Sequence, residues 1–309
     1  MDWITGMQKA IDYIEANLTE EVDYEKVAAE SFSSSYHFQR VFSILCGYTL
    51  GEYIRLRRLS LAGAELANGK EKVIDIALKY GYDSPDSFAK AFQKFHGITP
   101  SQARAGGSML KSFSRLSIKI SLEGGKTMNY RIEEKPRIIL AGFKRHFSGT
   151  PAERYDQERE FYIQTRFNQY ALKGLTRDLE TTYNIMTDFD DNGYNYYIAG
   201  ILASFSFDEL EKELGEDAKR FEKIILPARK YLVCETERTQ YPVNLQEELR
   251  KQAVNEWLPS SDYELADAPE VAVVHWFYKK GDQTDKNSRY SRYSRYSRYI
   301  ELWLPIEKK

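Results

Sequence analysis

The chain has 309 residues, of which 42% are apolar, 29% charged and 14% aromatic, a composition that excludes a disordered or collagen-like chain and fits about two globular domains. Lys and Arg number 44 against 46 Asp and Glu, and the net charge of −2 excludes a general electrostatic attraction to nucleic acid or to an anionic membrane. No segment approaches the ~20 apolar residues of a membrane span, and the first residues lack the apolar core of a signal peptide, so we expect a cytoplasmic protein without a membrane partner.

The first 105 residues have the spacing of helices. A first helix is predicted from apolar residues three or four positions apart, namely Ile4, Met7, Ile11, Ile14 and Leu18. A short second helix is expected after Asp23 as its N-cap, and a third over 34–46 that ends at Gly47. The capping-box pattern at 49–52 opens a long fourth helix over 50–67. These elements predict an all-α first domain.

An internal repeat organises this domain. Ala28 recurs 49 positions later as Ala77, which indicates one inserted residue in a turn. Four further residues recur 50 positions later, namely Phe38, Phe42, Gly47 and Thr49 as Phe88, Phe92, Gly97 and Thr99. Each copy reads as a short helix, a tight turn and a second helix, so the sequence predicts two helix-turn-helix units. The fourth helix, about 27 Å long, can hold them about one turn of DNA apart.

The pattern changes after Ala105, where Ala-Gly-Gly-Ser indicates a hinge. We therefore expect a first domain over 1–107 and a second over 108–309, in which 108–127 is a linker with the alternation of a strand at Leu116, Ile118, Ile120 and Leu122. The rest contains strand-helix-strand-strand twice: 138–143, 154–172, 181–187 and 194–203, then 230–235, 244–258, 271–278 and 299–305. This order predicts an α+β domain whose antiparallel sheet is covered by helices on one side, leaving the other side concave or solvated.

The tripeptide Ser-Arg-Tyr occurs four times in succession at 288–299. A period of three fits neither a strand nor an α-helix. The favoured interpretation is a loop expansion, or an artefact of cloning or sequencing, between two strands. A basic-aromatic strip that stacks on single-stranded nucleic acid is the alternative.

Signatures of common enzymes and metal sites are absent from the sequence. It contains no Gly-x-Ser-x-Gly, P-loop, dinucleotide fingerprint or His-Glu-x-x-His. The histidines are scattered singly, and Cys46 and Cys234 have no Cys-x-x-Cys spacing. We therefore expect no catalytic residue, no metal and no cofactor.

The third helix is the best candidate for reading DNA. The side chains expected to point outward are Tyr36, His37, Gln39, Arg40 and Ser43. Arg pairs with guanine and Gln with adenine in the major groove, although any one of these residues is also compatible with a plain solvated helix face. The second copy presents a poorer set, Pro85, Asp86, Ser87, Ala89 and Lys90, so we expect it to contact mostly phosphates. Arg55, Arg57 and Arg58 on the fourth helix add positive charge.

The first ~105 residues resemble the AraC/XylS type of bacterial transcription regulator. The matches include Ser-x-x-x-Phe-Gln-Arg-x-Phe at 34–42, Gly-x-Thr-x-x-x-Tyr-Ile-Arg at 47–55 and Gly-Ile-Thr-Pro-Ser at 97–101. The resemblance implies that two helices enter adjacent major grooves of double-stranded DNA, with reading positions at Tyr36, Gln39, Arg40, Ser87 and Lys90. It also implies RNA polymerase as a further partner.

The remainder resembles a gyrase-inhibitor-like (GyrI-like) effector domain, from Met-Asn-Tyr-Arg-Ile-Glu-Glu-Lys-Pro at 128–136, through 256–259, to Glu-Leu-Trp-Leu-Pro-Ile at 301–306. The resemblance implies a small, aromatic or cationic effector in a cleft with an acidic floor and aromatic walls. The candidate lining residues are Glu235, Trp257, Trp276, Tyr278, Glu301 and Trp303. For each of them, a Glu on a solvated face or a Trp in the core is the alternative. His275, where an inward acid would be sought, weakens the case for a cationic ligand.

These observations predict a regulator, not an enzyme, that binds DNA as a monomer because both reading units lie in one chain. Two other functions fit the second domain. The first is binding of a protein partner such as DNA gyrase, and the second is hydrolysis of a small molecule by Glu and Tyr of the same cleft.

Overall fold

The computed structural model describes residues 3–69, 71–118, 127–202, 207–276 and 298–309. The chain divides into two compact units, Met1–Glu123 and Gly124–Lys309. Within the described ranges, no helix is both long and apolar enough to cross a membrane.

The first unit is helical, as predicted. Its described helices are α1 (Trp3–Ala16), α2 (Tyr24–Glu30), α3 (Ser35–Cys46), α4 (Leu50–Asn68), α5 (Val73–Lys79), α6 (Pro85–His96) and α7 (Pro100–Arg104). The predicted caps are present: Asp23 accepts hydrogen bonds from the backbone of α2, and Thr49 forms a capping box with Glu52. Gly47 and Gly97 end α3 and α6 with φ of 77° and 81°, a left-handed conformation that glycine adopts without steric cost.

Helix α4 takes part in the packing of both helix-turn-helix units. Tyr53, near its beginning, contacts Phe42 of α3 with ring centroids 5.6 Å apart. Leu59 and Leu66, in its second half, belong to a core cluster that also contains Phe88 of α6. The two units therefore share one continuous helix of 19 residues as a structural element.

The two turns differ at one equivalent position. Phe32, in the first turn, has φ of 55°, and Gly81, 49 residues later in the second, has φ of 77°. A bulky residue rarely adopts this left-handed region, at a cost of about 1–2 kcal/mol. The Phe32 side chain is 74% exposed, so little burial offsets that cost.

Residues 108–118 form an extended segment on the first unit. Arg57 of α4 donates to the carbonyl of Phe113, whose amide donates to the Ser60 hydroxyl at 3.0 Å. The Leu116 amide donates to the Tyr53 hydroxyl at 3.2 Å. The Ile118 amide donates to the Gln8 side chain of α1 at 3.4 Å. The strand expected here is therefore wrong for residues 116–118, because side chains of α4 and α1, not a neighbouring strand, accept from the backbone; Ile120 and Leu122 lie outside the described residues. The division between the units consequently falls later than residue 107.

The second unit contains a mixed sequence of strands and helices. Its described strands are β1 (Asn129–Lys135), β2 (Ile138–Ser148), β3 (Thr181–Thr187), β4 (Gly193–Ile201), β5 (Glu222–Leu226), β6 (Arg229–Glu235), β7 (Tyr263–Leu265), β8 (Glu270–His275) and β9 (Tyr299–Lys308). Its described helices are α8 (Pro151–Gln164), α9 (Arg166–Thr176), α10 (Phe207–Leu214) and α11 (Val243–Gln252), the last continued by a π-helical turn at Ala253–Trp257. Both predicted strand-helix-strand-strand halves are present, except that the single helix expected over 154–172 is the two helices α8 and α9. Strands β1, β5 and β7 and helix α10 are additional.

The strands form one antiparallel sheet in the order β1-β6-β9-β8-β3-β4-β2-β5, and β7 pairs with β9. Its helix-covered face carries Phe143 and Ile198, which pack with Phe161 of α8 and Leu172 of α9. The opposite face carries a second buried cluster that includes Val233, Val271 and Trp303. The prediction of helices on one side is confirmed, and the middle of the opposite face is buried, not solvated.

Candidate functional site

Helix α3 follows the first turn and presents the first set of candidate DNA contacts. Tyr36, His37 and Gln39 are half-buried on its surface. Arg40, in contrast, is only 7% exposed, so its predicted outward position is wrong. Ile44 is buried one turn later, whereas Leu45 is half-buried. Because Arg40 lies four residues before Ile44, its stem turns inward with that residue.

Helix α6 presents the corresponding surface of the second unit. Ser87 and Lys90 are both exposed, as the DNA prediction requires. Gln93 and Lys94 are also exposed and lie three and four residues after Lys90, on the same side of the helix. Sequence reasoning missed this pair, although the helical spacing from Lys90 was sufficient to find it. A line of polar and basic side chains results along α6.

The three arginines of α4 differ in their contacts. Arg57 forms an ion pair with Glu15 of α1 at 2.8 Å, and the two side chains are 12% and 11% exposed. The hydrogen bond to Glu15 raises the pKa of Arg57 above its ordinary value. Arg58 donates to the carbonyls of Leu18 and Glu20 at 2.8 and 2.6 Å. Arg57 and Arg58 therefore stabilise the unit, contrary to the expectation that they add charge for DNA, and Arg55 remains half-buried at the surface.

Charged residues converge at one end of the opposite face of the sheet. Arg131 of β1 lies 2.5 Å from Glu235 of β6, 3.3 Å from Glu301 of β9 and 3.0 Å from Glu133. Lys135 pairs with Glu133 at 2.7 Å. We name these five residues the Arg131 cluster. Three carboxylates against two cations give it a formal charge of −1.

Pairing stabilises the charged forms of this cluster. Burial alone would lower the pKa of Arg131, but the hydrogen bonds of Arg131 with Glu133 and Glu235 outweigh burial and raise that pKa. The hydrogen bond from Lys135 holds the pKa of Glu133 below its ordinary value. Glu301 is the most buried of the carboxylates, with 15% of its side chain exposed. Glu301, one of the two acids expected at the floor of the cleft, is thus paired with Arg131.

Aromatic side chains border the Arg131 cluster. The indole nitrogen of Trp303 donates to Glu301 at 3.0 Å, and the Lys135 ammonium lies 4.3 Å from the centre of the indole ring. The rings of Tyr183 and Tyr231 lie 6.1 and 6.0 Å from it. The Tyr231 hydroxyl is buried without a hydrogen-bond partner among the described residues, and burial raises the pKa of Tyr231. Such a hydroxyl calls for a water or a ligand atom.

The other predicted lining residues do not join this cluster. Trp276 donates from its indole nitrogen to the Thr182 hydroxyl at 2.9 Å, on the helix-covered face. Trp257 lies in the π-helical turn and contacts Tyr130 and Tyr263 at 5.5 and 6.0 Å. The single cleft with three tryptophans is therefore wrong, because strand alternation sends Trp276 and Trp303 to opposite faces. Tyr278 lies outside the described residues.

His275 is a further neighbour of Glu301. Its Nε2 atom lies 3.9 Å from a carboxylate oxygen of Glu301, and its ring stacks on Tyr299 with centroids 4.2 Å apart. The Arg238 guanidinium lies over the Tyr299 ring, 4.5 Å from its centre. His275 thus borders the acidic site and does not replace it.

Two helix-turn-helix units on a common helix, followed by a sheet domain with an acidic and aromatic cluster, define a DNA-binding transcription regulator with an effector-binding domain. Comparison with known proteins agrees: residues 27–106 match a helix-turn-helix domain family, and residues 131–306 match the integron-associated effector binding protein family. The chain belongs to the AraC family of regulators, and its second domain to the integron-associated effector binding proteins.

Relatives of the first domain support this assignment. The HTH-type transcriptional activator AarP of Providencia stuartii is 42% identical over 109 residues, which are 35% of this chain and 81% of AarP. The right origin-binding protein of Escherichia coli K12 is 35% identical over 104 residues, 34% of this chain and about a third (36%) of that protein's length. Separately from these two relatives, and over a stretch longer than the first unit, a solved putative transcription regulation protein of Staphylococcus aureus MU50 aligns with 59% of this chain and 99% of its own, at 16% identity and a TM-score of 0.38.

Proposed function

We propose that this regulator responds to a small planar cation bound at the Arg131 cluster, and that it reads double-stranded DNA as a monomer in the cytoplasm. Both reading helices belong to one chain, so a second copy is not needed to contact two grooves. Regulation would act on transcription by RNA polymerase. The chain needs no metal, cofactor or catalytic residue for this role.

The first unit supports the DNA part of this proposal. Helices α3 and α6 each follow a short helix and a turn, which is the position of a recognition helix. Helix α4 joins the two units and is about 28 Å long for its 19 residues, close to the ~34 Å of one DNA turn. Tyr36, His37 and Gln39 would contact bases from α3. Ser87 and Lys90 would contact mainly phosphates from α6, and Arg55 would add charge between them.

The observation that supports a cationic ligand is the excess of carboxylates around Arg131. Glu133, Glu235 and Glu301 converge on one guanidinium, and Trp303 lies directly beside Glu301. A planar cation that displaces Arg131 from Glu301 would keep the carboxylate paired, which offsets the cost of burying it. The faces of Trp303 and its aromatic neighbours would attract the same positive charge.

Tryptophan fluorescence tests this proposal. N-methylquinolinium and neutral quinoline have similar shapes, and the cation should bind the full chain at least tenfold more tightly. Glu301→Gln should remove most of that difference and leave quinoline binding within about twofold. Glu222→Gln is the matched control, because Glu222 is also a strand carboxylate paired with a lysine, Lys144, at 2.9 Å.

Three results would redirect the assignment. Equal binding of both compounds, or an unchanged preference in Glu301→Gln, would contradict a cation site at Glu301. Retention of purified DNA gyrase by the chain, without ligand binding, would favour the protein-partner function. Turnover of a bound ester or amide would favour the hydrolase.

A further inference from the structure

A small cavity lies on the helix-covered face of the sheet, between α9 and strands β3 and β4. Its volume is about 80 Å³, and its polar lining includes Tyr162, Gln169, Lys173, Thr176, Thr182 and the indole of Trp276. We propose that this cavity is a second ligand site, separate from the Arg131 cluster, which binds a small planar carboxylate through Lys173.

The charge of the cavity comes from Lys173. Within the described ranges Lys173 forms no ion pair, and its ammonium group lies 6.0 Å from the centre of the Trp276 ring. Burial lowers the pKa of Lys173, and the charge of Asp178 opposes this effect. The carboxylate of Asp178 itself accepts hydrogen bonds from the Glu180 amide at 2.8 Å and from the Thr181 amide at 3.0 Å. The ammonium therefore lacks a close counterion within the described structure.

The hydrogen-bonding groups of the cavity are mostly donors. The Thr182 hydroxyl oxygen accepts from Trp276 at 2.9 Å, so its own proton remains to be donated. The Thr176 hydroxyl accepts from the Asp178 amide at 3.4 Å and likewise keeps its proton. With the three protons of Lys173, these groups match a ligand that only accepts hydrogen bonds, and a carboxylate is such a ligand.

The remaining polar groups offer little to a cation. The amide nitrogen of Gln169 donates to the Tyr162 carbonyl at 2.8 Å and to the Thr165 hydroxyl at 3.2 Å, which uses both of its protons. The Tyr162 hydroxyl donates to Asn184 at 2.9 Å. The Gln169 carbonyl oxygen is the main acceptor left. The cavity thus has the opposite preference from the Arg131 cluster.

Position makes the two sites independent. The cavity uses Thr182 and Ile198, which face the helices, whereas Glu301 and Trp303 lie on the opposite face of the sheet. A volume of this size holds several waters or the carboxylate end of a small organic anion, whose ring would then lie at the open side of the cavity. The indole of Trp276, whose ring centre lies 5.5 Å from the Arg298 guanidinium, would border the ring of an aromatic acid while the carboxylate meets Lys173.

Calorimetric titration of the full chain with benzoate and with its neutral isostere benzamide tests the proposal. Benzoate should bind saturably and at least tenfold more tightly than benzamide. Lys173→Gln should weaken benzoate binding at least tenfold and leave benzamide unchanged. Lys223→Gln, which neutralises an exposed lysine on β5, is the matched control and should leave both affinities within about twofold.

Two further variants make the outcome decisive. Trp276→Phe should abolish the benzoate-dependent quenching of tryptophan fluorescence, whereas benzoate binding measured by calorimetry should persist. This variant tests the site even if Lys173→Gln fails to fold. Glu301→Gln should leave benzoate binding unchanged, so failure at one site is distinguishable from failure at the other. Benzoate that binds no better than benzamide to the native chain, or equally well to folded Lys173→Gln, would show a cavity that holds only water.

Discussion

Removing the charge of Glu15 should destabilise the first unit strongly. The carboxylate accepts from the Tyr53 hydroxyl at 2.6 Å and from two nitrogens of Arg57, each at 2.8 Å. Glu15→Gln keeps the shape but leaves the guanidinium without its counterion. Breaking a fully buried pair costs ~3–5 kcal/mol. Because the two side chains are 11% and 12% exposed, we discount this cost to about 2–4 kcal/mol for solvent screening.

Hydrogen exchange read by mass spectrometry measures this cost in the full chain. A loss of 2–4 kcal/mol corresponds to a fall in protection of about 30-fold to about 900-fold for the amides of α1 and α4. The segment 108–118 should exchange faster as well, since Tyr53 and Arg57 hold its backbone. Glu25→Gln, which changes a glutamate in the first turn of α2, is the control. Protection that falls no further in Glu15→Gln than in Glu25→Gln would refute the reasoning.

The same pair predicts a pH dependence. Burial alone would raise the pKa of Glu15, but hydrogen bonds from Arg57 and Tyr53 outweigh it and hold the pKa below its ordinary value of 4.5. Stability from Glu15 is therefore present above that ordinary value and is lost as the pH falls through the lower pKa of the folded state. Acid unfolding of Glu15→Gln should lack this component.

Three other changes have distinct expected results. Lys90→Ala should weaken binding to specific and to random DNA about equally. It should also lower the slope of log binding constant against log salt concentration by about one unit, as loss of a phosphate contact does; an unchanged slope would show that Lys90 is only solvated. Phe32→Gly should raise the free energy of unfolding by about 0.5–1 kcal/mol, because relief of the left-handed strain exceeds the entropy cost of glycine; a lower denaturation midpoint would contradict this. Deleting 291–299 should leave thermal stability unchanged or slightly higher, since Arg289 and Tyr290 then precede Ile300 as Arg298 and Tyr299 do now; unfolding or loss of DNA binding would show that the repeat has a role.

Local signals in the sequence were sufficient for the elements themselves. The spacing of apolar residues, the caps at Asp23 and Thr49, and the glycines that end α3 and α6 each depend on neighbours within one turn, so one chain segment contains the information. The repeat then paired the two helix-turn-helix units. Arg40 shows the limit: the expected outward side of α3 included Arg40, yet Arg40 and Ile44, four residues later, are both buried.

Non-local information was missing for the second domain. Alternation along one strand tells which residues share a face of that strand, but only register tells which residues of different strands meet. The sequence does not distinguish the positions of Trp276 and Trp303. The pairing of β8 with β9 places Val271 opposite Trp303, so Trp303 lies on the face of the odd-numbered residues of β8 and Trp276 on the other face. Arg131, the partner of Glu301, lies on β1, a strand that was not predicted. Leu116 and Ile118 are half-buried and Ser117 is exposed, as in a strand, but the amides of Leu116 and Ile118 donate to side chains of α4 and α1 and not to a second strand.

The continuous helix α4 imposes a constraint on how this regulator can change over time. One residue inserted between Tyr53 and Leu59 would rotate one helix-turn-helix unit by about 100° relative to the other and move it about 1.5 Å along the axis. Seven inserted residues would restore the rotation but separate the units by about 10 Å, or roughly three base pairs, which moves the second groove to another side of the DNA. On the proposed mode of binding, no short insertion satisfies both periods. Point substitutions at the reading surfaces are thus open to this protein, whereas changes in the length of α4 are not.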